Sequence, residues 1–310
     1  MKQTGSPEAR LSVSRPHPWF LLSMILTGIA AISSASILIR LTDAPPVTVA
    51  TYRVTLAALL IAPWCAFRNR STPLHWNGRV VALTLSSGAF LALHFIFWIS
   101  SLSLTSVASS ATLVSTAPLF VALFSFLFLN EKPSKKLQFG IFCAAAGSAL
   151  LAGHDYSFSA EALTGDLLAV LGAIMASGYL IAGRFARQYL GLCAYTASAY
   201  GTAALILLPA SLLTETPLSG FSGKTYFFLL LLALIPQLIG HTAFNWTLRF
   251  LSPTRVAILV LGEPLGATVL AYLFLAETLT IGKFAGLAIL GSGILVSAMA
   301  MPSGKDSFDE

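Results

Sequence analysis

The sequence predicts an all-α membrane protein: ten transmembrane helices in a 5+5 inverted-repeat bundle around a central cavity. Three observations predict it. Hydrophobic residues make up 56% of the 310-residue chain and charged residues only 10%, with a mean hydropathy of +0.82, whereas a soluble domain carries about 25% charged residues. The second half also repeats the first. Pro118–Gly147 aligns without a gap on Pro264–Gly293, keeping the Pro, a Leu-Phe-Leu, Glu131 with Glu277, and the pairs Gly140/Gly147 and Gly286/Gly293. Finally, the basic residues are one-sided. With the N-terminus in the cytoplasm, only Arg40, Lys224 and Lys283 fall outside, Arg53 lies within a span, and every other Lys and Arg is cytoplasmic. Five spans per half is an odd number, so the second half enters the membrane inverted, and such folds place a substrate site where the repeats meet.

Apolar runs of the roughly 20 residues needed to cross a bilayer fall at 18–40, 47–67, 79–101, 106–129 and 135–153, then at 165–186, 192–213, 223–246, 254–275 and 280–301. The domain reading is a cytoplasmic tail over 1–17, repeats over 18–153 and 165–301, and a second cytoplasmic tail over 302–310. The breaks carry turn chemistry: Asp43–Pro46, Arg68–Pro73, Asn130–Pro133, His154-Asp155 and Thr214–Pro217 are polar and mostly Pro-marked. Ser134 and Thr280 stand where a hydroxyl N-cap starts the last helix of each half. The first apolar run is longer than a signal-peptide core and lacks an A-x-A-like site, so it reads as a retained span.

Composition excludes other classes. The net charge of +6 invites a nucleic-acid reading, but the basic residues are dispersed over short turns with no stripe, so topology and anionic lipid explain them. Cys65, Cys143 and Cys193 lie in apolar spans at unrelated spacings and read as packing residues, without a disulfide or metal pattern. The paired glycines read as close-packing surfaces of apolar helices.

Candidate functional side chains are the polar ones at membrane depth. In the eighth span Gln237, His241, Asn245 and Arg249 recur every four residues along one side of a helix, a stripe that lipid would reject. The third span carries Phe90, His94 and Trp98 at the same spacing, so His94 and His241 occupy nearly equivalent repeat positions and could face each other. The competing reading makes each histidine a hydrogen-bonding link between helices. Glu263 sits near the middle of the ninth span, where a charge costs about 2.5–3.5 kcal/mol on insertion scales. It is a candidate for proton coupling or cation binding, or for a tie to a neighbouring helix. Pro264 after it and Pro118 in the fourth span each remove a helix hydrogen bond. Arg53, two turns inside the second span, is a candidate for a substrate carboxylate; alternatively its stem carries the guanidinium to the outer interface. Ser109, Thr112 and Thr116 share a face of the fourth span, and Tyr179, Ser177, Ser33 and Ser36 are weaker candidates.

Several segments together resemble paired EamA-type domains of the drug/metabolite transporter superfamily: Arg53-x-x-x-Ala57-Ala-Leu-Leu, Ser106–Pro118 leading to Leu127-Phe-Leu-Asn-Glu131, Gly165-Asp-Leu-Leu-Ala, and Leu261-Gly-Glu-Pro264 leading to Glu277. The resemblance covers Trp19 to Met301 and points to bacterial inner-membrane exporters of amino acids and related metabolites. It implies a ten-helix inverted repeat, alternating access around a cavity walled by the first, third, fourth, sixth, eighth and ninth spans, a small-molecule solute, a lipid environment and no bound cofactor. Within the same class stand an uptake or exchange carrier for a nucleotide-like metabolite and an exporter of cationic drugs. A membrane-embedded enzyme would need clustered His, Asp and Glu or a Ser/His pair near one interface, and none stands out.

Overall fold

The structure is a computed structural model that describes residues 16–68, 76–105, 107–129, 134–152, 159–275 and 280–299. The described residues hold helices and connecting turns, without a strand. The first half contributes α1 (Pro18–Ser33) with α2 (Ala35–Arg40), α3 (Pro46–Arg68), α4 (Gly78–Leu104), α5 (Val107–Val114) with α6 (Ala117–Leu129), and α7 (Lys135–Ala152). The second contributes α8 (Ala160–Tyr189), α9 (Leu192–Leu213), α10 (Gly223–Leu232) continuing through a π-helical segment (Ala233–His241) into α11 (Thr242–Thr247), α12 (Pro253–Val260) with α13 (Gly262–Leu275), and α14 (Ile281–Met299). Eight of these helical paths are long and apolar enough to cross a membrane. α7, at 18 residues, and α14, at 19, complete ten; 18 residues rise about 27 Å, close to the hydrocarbon thickness.

The boundaries follow local chemistry. Ser134 Oγ accepts from Leu137 N and Thr280 Oγ1 from Lys283 N, so both expected hydroxyl caps form. The sixth span starts at Ala160, earlier than its apolar run, because Ser159 Oγ caps Ala162 N and Glu161 sits at the positive end of the helix dipole. Glu131, Glu277 and the Asn130–Pro133 and His154-Asp155 breaks lie outside the described residues.

The halves interlock. α1 packs on the π segment, α11 and α13 of the second half, while α8 packs on α4, α5 and α6 of the first. Small residues make this possible: a Cβ on Gly172 of α8 would meet Trp98 at 3.3 Å, and one on Gly178 would meet the Phe90 ring at 2.8 Å. α7 and α14 pair with each other through Gly140, Gly147 and Gly293, so the paired glycines are the close-packing surfaces expected of them. Elsewhere Leu59, Trp64, Phe67, Leu205, Phe274 and Ile281 stand exposed, an apolar girdle suited to lipid.

One expectation is corrected. Cys65 of α3 and Cys193 of α9 form a disulfide with Cα atoms 5.3 Å apart, where the sequence spacing predicts only packing residues; Cys143 is free. The two cysteines meet because α3 and α9, the second span of each half, lie side by side. That adjacency is tertiary and leaves no trace in the spacing.

Candidate functional site

Arg53 faces inward. The guanidinium does not follow its stem to the outer interface: the residue is 1% exposed, and Nε donates to Gln237 Oε1 at 2.8 Å. Its central carbon lies 4.3 Å from the centroid of the Phe95 ring, a cation–π geometry. Arg53 Nη1 and the fully buried Gln237 Nε2 have no hydrogen-bond partner. Unsatisfied donors at this depth are costly; Thr55, Thr196, Ser148 and Ser297 each leave a buried hydroxyl unpaired as well, but only the Arg53 donor is cationic.

A polar chain runs on from it. The Gln237 carbonyl accepts from the Tyr200 hydroxyl at 3.2 Å, which in turn accepts from Asn245 Nδ2 at 3.5 Å. Asn245 Oδ1 accepts from the Tyr179 hydroxyl at 2.7 Å. The Tyr179 ring lies 6.2 Å from His241, and the Phe95 ring packs against both histidines, 5.1 Å from His94 and 5.4 Å from His241. The two histidines thus share an aromatic neighbour and lie within electrostatic reach of each other. His94 Nδ1 pairs with the Gly172 carbonyl at 2.9 Å, linking α4 to α8, and its ring stacks on Trp98 with planes 6° apart. Trp98 Nε1 is another buried N–H donor without a partner.

The π segment shapes this stripe. Pro236 cannot donate to the helix ladder and crowds the carbonyl one turn back, and the helix widens around it, as π turns often do near functional sites. Gln237, His241 and Asn245 remain with the cluster. Arg249 does not: it donates to the Arg187 carbonyl, while Arg187 Nε reaches the Asn245 carbonyl at 3.1 Å and Arg184 the Leu248 carbonyl at 2.7 Å. Three guanidinium groups thus tie the ends of α8 and α11.

Glu263 is half-buried in the first turn of α13, within electrostatic reach of Arg53. The fourth and ninth spans both break here, at Ser115-Thr116 and at Leu261, just before Pro118 and Pro264. Each break is held by the other half: Ser33 of α1 donates to the Glu263 carbonyl at 3.2 Å, and Ser177 of α8 donates to the Ala117 carbonyl at 3.1 Å. Ala117 is the repeat equivalent of Glu263, so a serine from the other half holds the equivalent carbonyl at each break. Discontinuous helices at corresponding places in inverted halves are where transporters build their sites.

Thr112 and Thr116 stay out of the cluster. Thr112 donates to the Ser148 carbonyl of α7 at 2.9 Å and Thr116 to Leu113 of its own turn at 2.6 Å. Sequence reasoning missed Phe95 of the third span and Tyr200 of the seventh; Tyr200 adds the seventh span to the wall, and the inward-facing Arg53 adds the second. A hydroxyl in the middle of an apolar span needs a partner, and that signal was available at Tyr200. Among the described residues no three His, Cys, Asp or Glu come together to hold a metal ion.

The EamA-like transporter family model matches residues 16–153 and again 163–299. The chain belongs to the EamA-like transporter family. An uncharacterized transporter of Archaeoglobus fulgidus is 26% identical over 268 residues, covering 85% of this chain and 90% of that protein. The uncharacterized transporter YxxF of Bacillus subtilis is 26% identical over 279 residues, 87% of each. Protein PecM of Dickeya dadantii is 26% identical over 189 residues, 59% of this chain and 61% of its own length. A solved crystal structure shares the fold with a TM-score of 0.76 at 19% identity, covering 91% of this chain and 98% of that one. As an EamA-like transporter the chain is a multi-pass membrane protein, and its buried polar cluster lies where the two family repeats interlock.

Proposed function

We propose that this transporter is a secondary active carrier that exports amino acids or related small polar metabolites from the bacterial cytoplasm by alternating access. The observation that carries the reading is the set of buried, unpartnered donors on Arg53, Gln237 and Trp98 between the repeats. A helix bundle has no structural use for them, whereas a polar solute would satisfy them. His94, Trp98, Tyr179, His241 and Asn245 supply the remaining polar and aromatic surface. Pro118 and Pro264 supply the breaks about which one half rocks against the other. The excess of basic residues in turns on one side supports cytoplasmic termini in the inner membrane.

Glu263 is the coupling group in this proposal, because it is the carboxyl that lies within reach of Arg53 and a proton moving on or off it would change the charge felt by the solute. Reconstituted protein should accumulate an amino acid against its gradient when a pH gradient is imposed. Glu263→Gln should lose that accumulation while retaining exchange of solute across the vesicle membrane. Unchanged dependence on the pH gradient in the variant would remove Glu263 from coupling. Exchange restricted to nucleosides or to organic cations would replace the substrate class.

A further inference from the structure

We infer that Arg53 Nη1 and Gln237 Nε2 together form a carboxylate-binding subsite, an assignment that rests on the transporter reading and specifies which end of the solute is held where. Arg53 Nε and Gln237 Oε1 are already committed to each other at 2.8 Å, which fixes the two side chains relative to one another. What remains on each is an N–H donor, buried and unpartnered, on groups that are 1% and 0% exposed. The hydrogen bond puts the two side chains in contact, and the cationic donor left over on Arg53 suits a carboxylate oxygen.

The surroundings favour a monoanion. The Phe95 ring covers the guanidinium at 4.3 Å, and Glu263 lies within electrostatic reach, so a dianionic phosphate would meet one cation and an opposing acid. A carboxylate leaves Glu263 free to attract a positive group on the same solute, next to the aromatic faces of Phe95, Tyr179 and His241. The subsite joins α3 of one half to the π segment of the other, so a solute held there contacts both moving parts. Its two residues come from helices that the sequence places 184 positions apart.

The experiment compares each of the twenty L-amino acids with its own carboxamide, by thermal shift and by counterflow, on the full wild-type chain. An amide keeps size and side chain but loses the anion. Acids that stabilise the protein should bind roughly tenfold more tightly than their amides. Arg53→Lys, which keeps the charge and loses the planar fork, should bind those acids about as weakly as wild type binds the amides. Equal binding and exchange of acid and amide would overturn the subsite and leave a carrier standing. Binding confined to nucleosides or organic cations would overturn the subsite and the substrate class together. Exchange of no solute at all would overturn the transport reading on which the subsite rests.

Discussion

Gly293→Leu should abolish recovery of folded protein, while Gly291→Leu, two residues away on the same helix, should leave it intact. A Cβ on Gly293 would stand 2.4 Å from Ala144 N and 2.7 Å from the Gly140 carbonyl. Both are backbone atoms of α7 and have no rotamer to yield. The opposite face of the seam is equally tight, since a Cβ on Gly147 would lie 2.3 Å from Leu290 N. Overpacking an adaptable core costs about 1–3 kcal/mol; here the helices must separate, and lipid supplies no hydrophobic force to hold them together. A Cβ on Gly291 meets nothing within 4 Å, so that variant controls for helix propensity and added bulk. Monodisperse yield by size-exclusion chromatography and the melting temperature measure the contrast. Equal yields would mean that α7 and α14 do not pack as described.

The second large effect is on transport. Arg53→Met should eliminate solute exchange and also lower stability, because Gln237 Oε1 then loses its donor in a fully buried setting. Leaving such a group unsatisfied costs about 1–3 kcal/mol. Adding Gln237→Leu removes the stranded amide, so the double variant should regain much of the lost stability and none of the lost transport. That separation distinguishes a working site from a structural link. If stability and transport recovered together, the Arg53–Gln237 bond would be a tie between α3 and the π segment and nothing more.

Most of the architecture was legible in the sequence because lipid imposes it residue by residue. Apolar runs gave the spans, Ser134 and Thr280 marked helix starts, and the paired prolines at 118 and 264 marked the breaks, all local signals. The close-packing faces of α7 and α14 were legible for the same reason, since spacing alone places Gly140 with Gly147, and Gly286 with Gly293, on one face; that the two faces meet each other was not. What escaped was relational. The direction of the Arg53 side chain, the partnership of Cys65 with Cys193, and the place of Tyr200 beside Gln237 depend on which helices become neighbours, and hydropathy does not specify that. The fourfold spacing of Gln237, His241 and Asn245 did point at the site, although the widening at Pro236 could not be read from it. The repeat was most informative where it failed: Glu263 aligns with Ala117, and only the Ser33 and Ser177 bonds show that the two positions are still held alike.

The most direct measurement places one cysteine at His241, a half-buried residue of the cluster, after Cys65, Cys143 and Cys193 are replaced by alanine. A membrane-impermeant thiol reagent is applied to right-side-out and to inverted vesicles, with and without transported solute. Alternating access around this cluster predicts labelling from both sides, with solute suppressing both. Labelling from neither side, or from one side only whatever gradient is imposed, would contradict it.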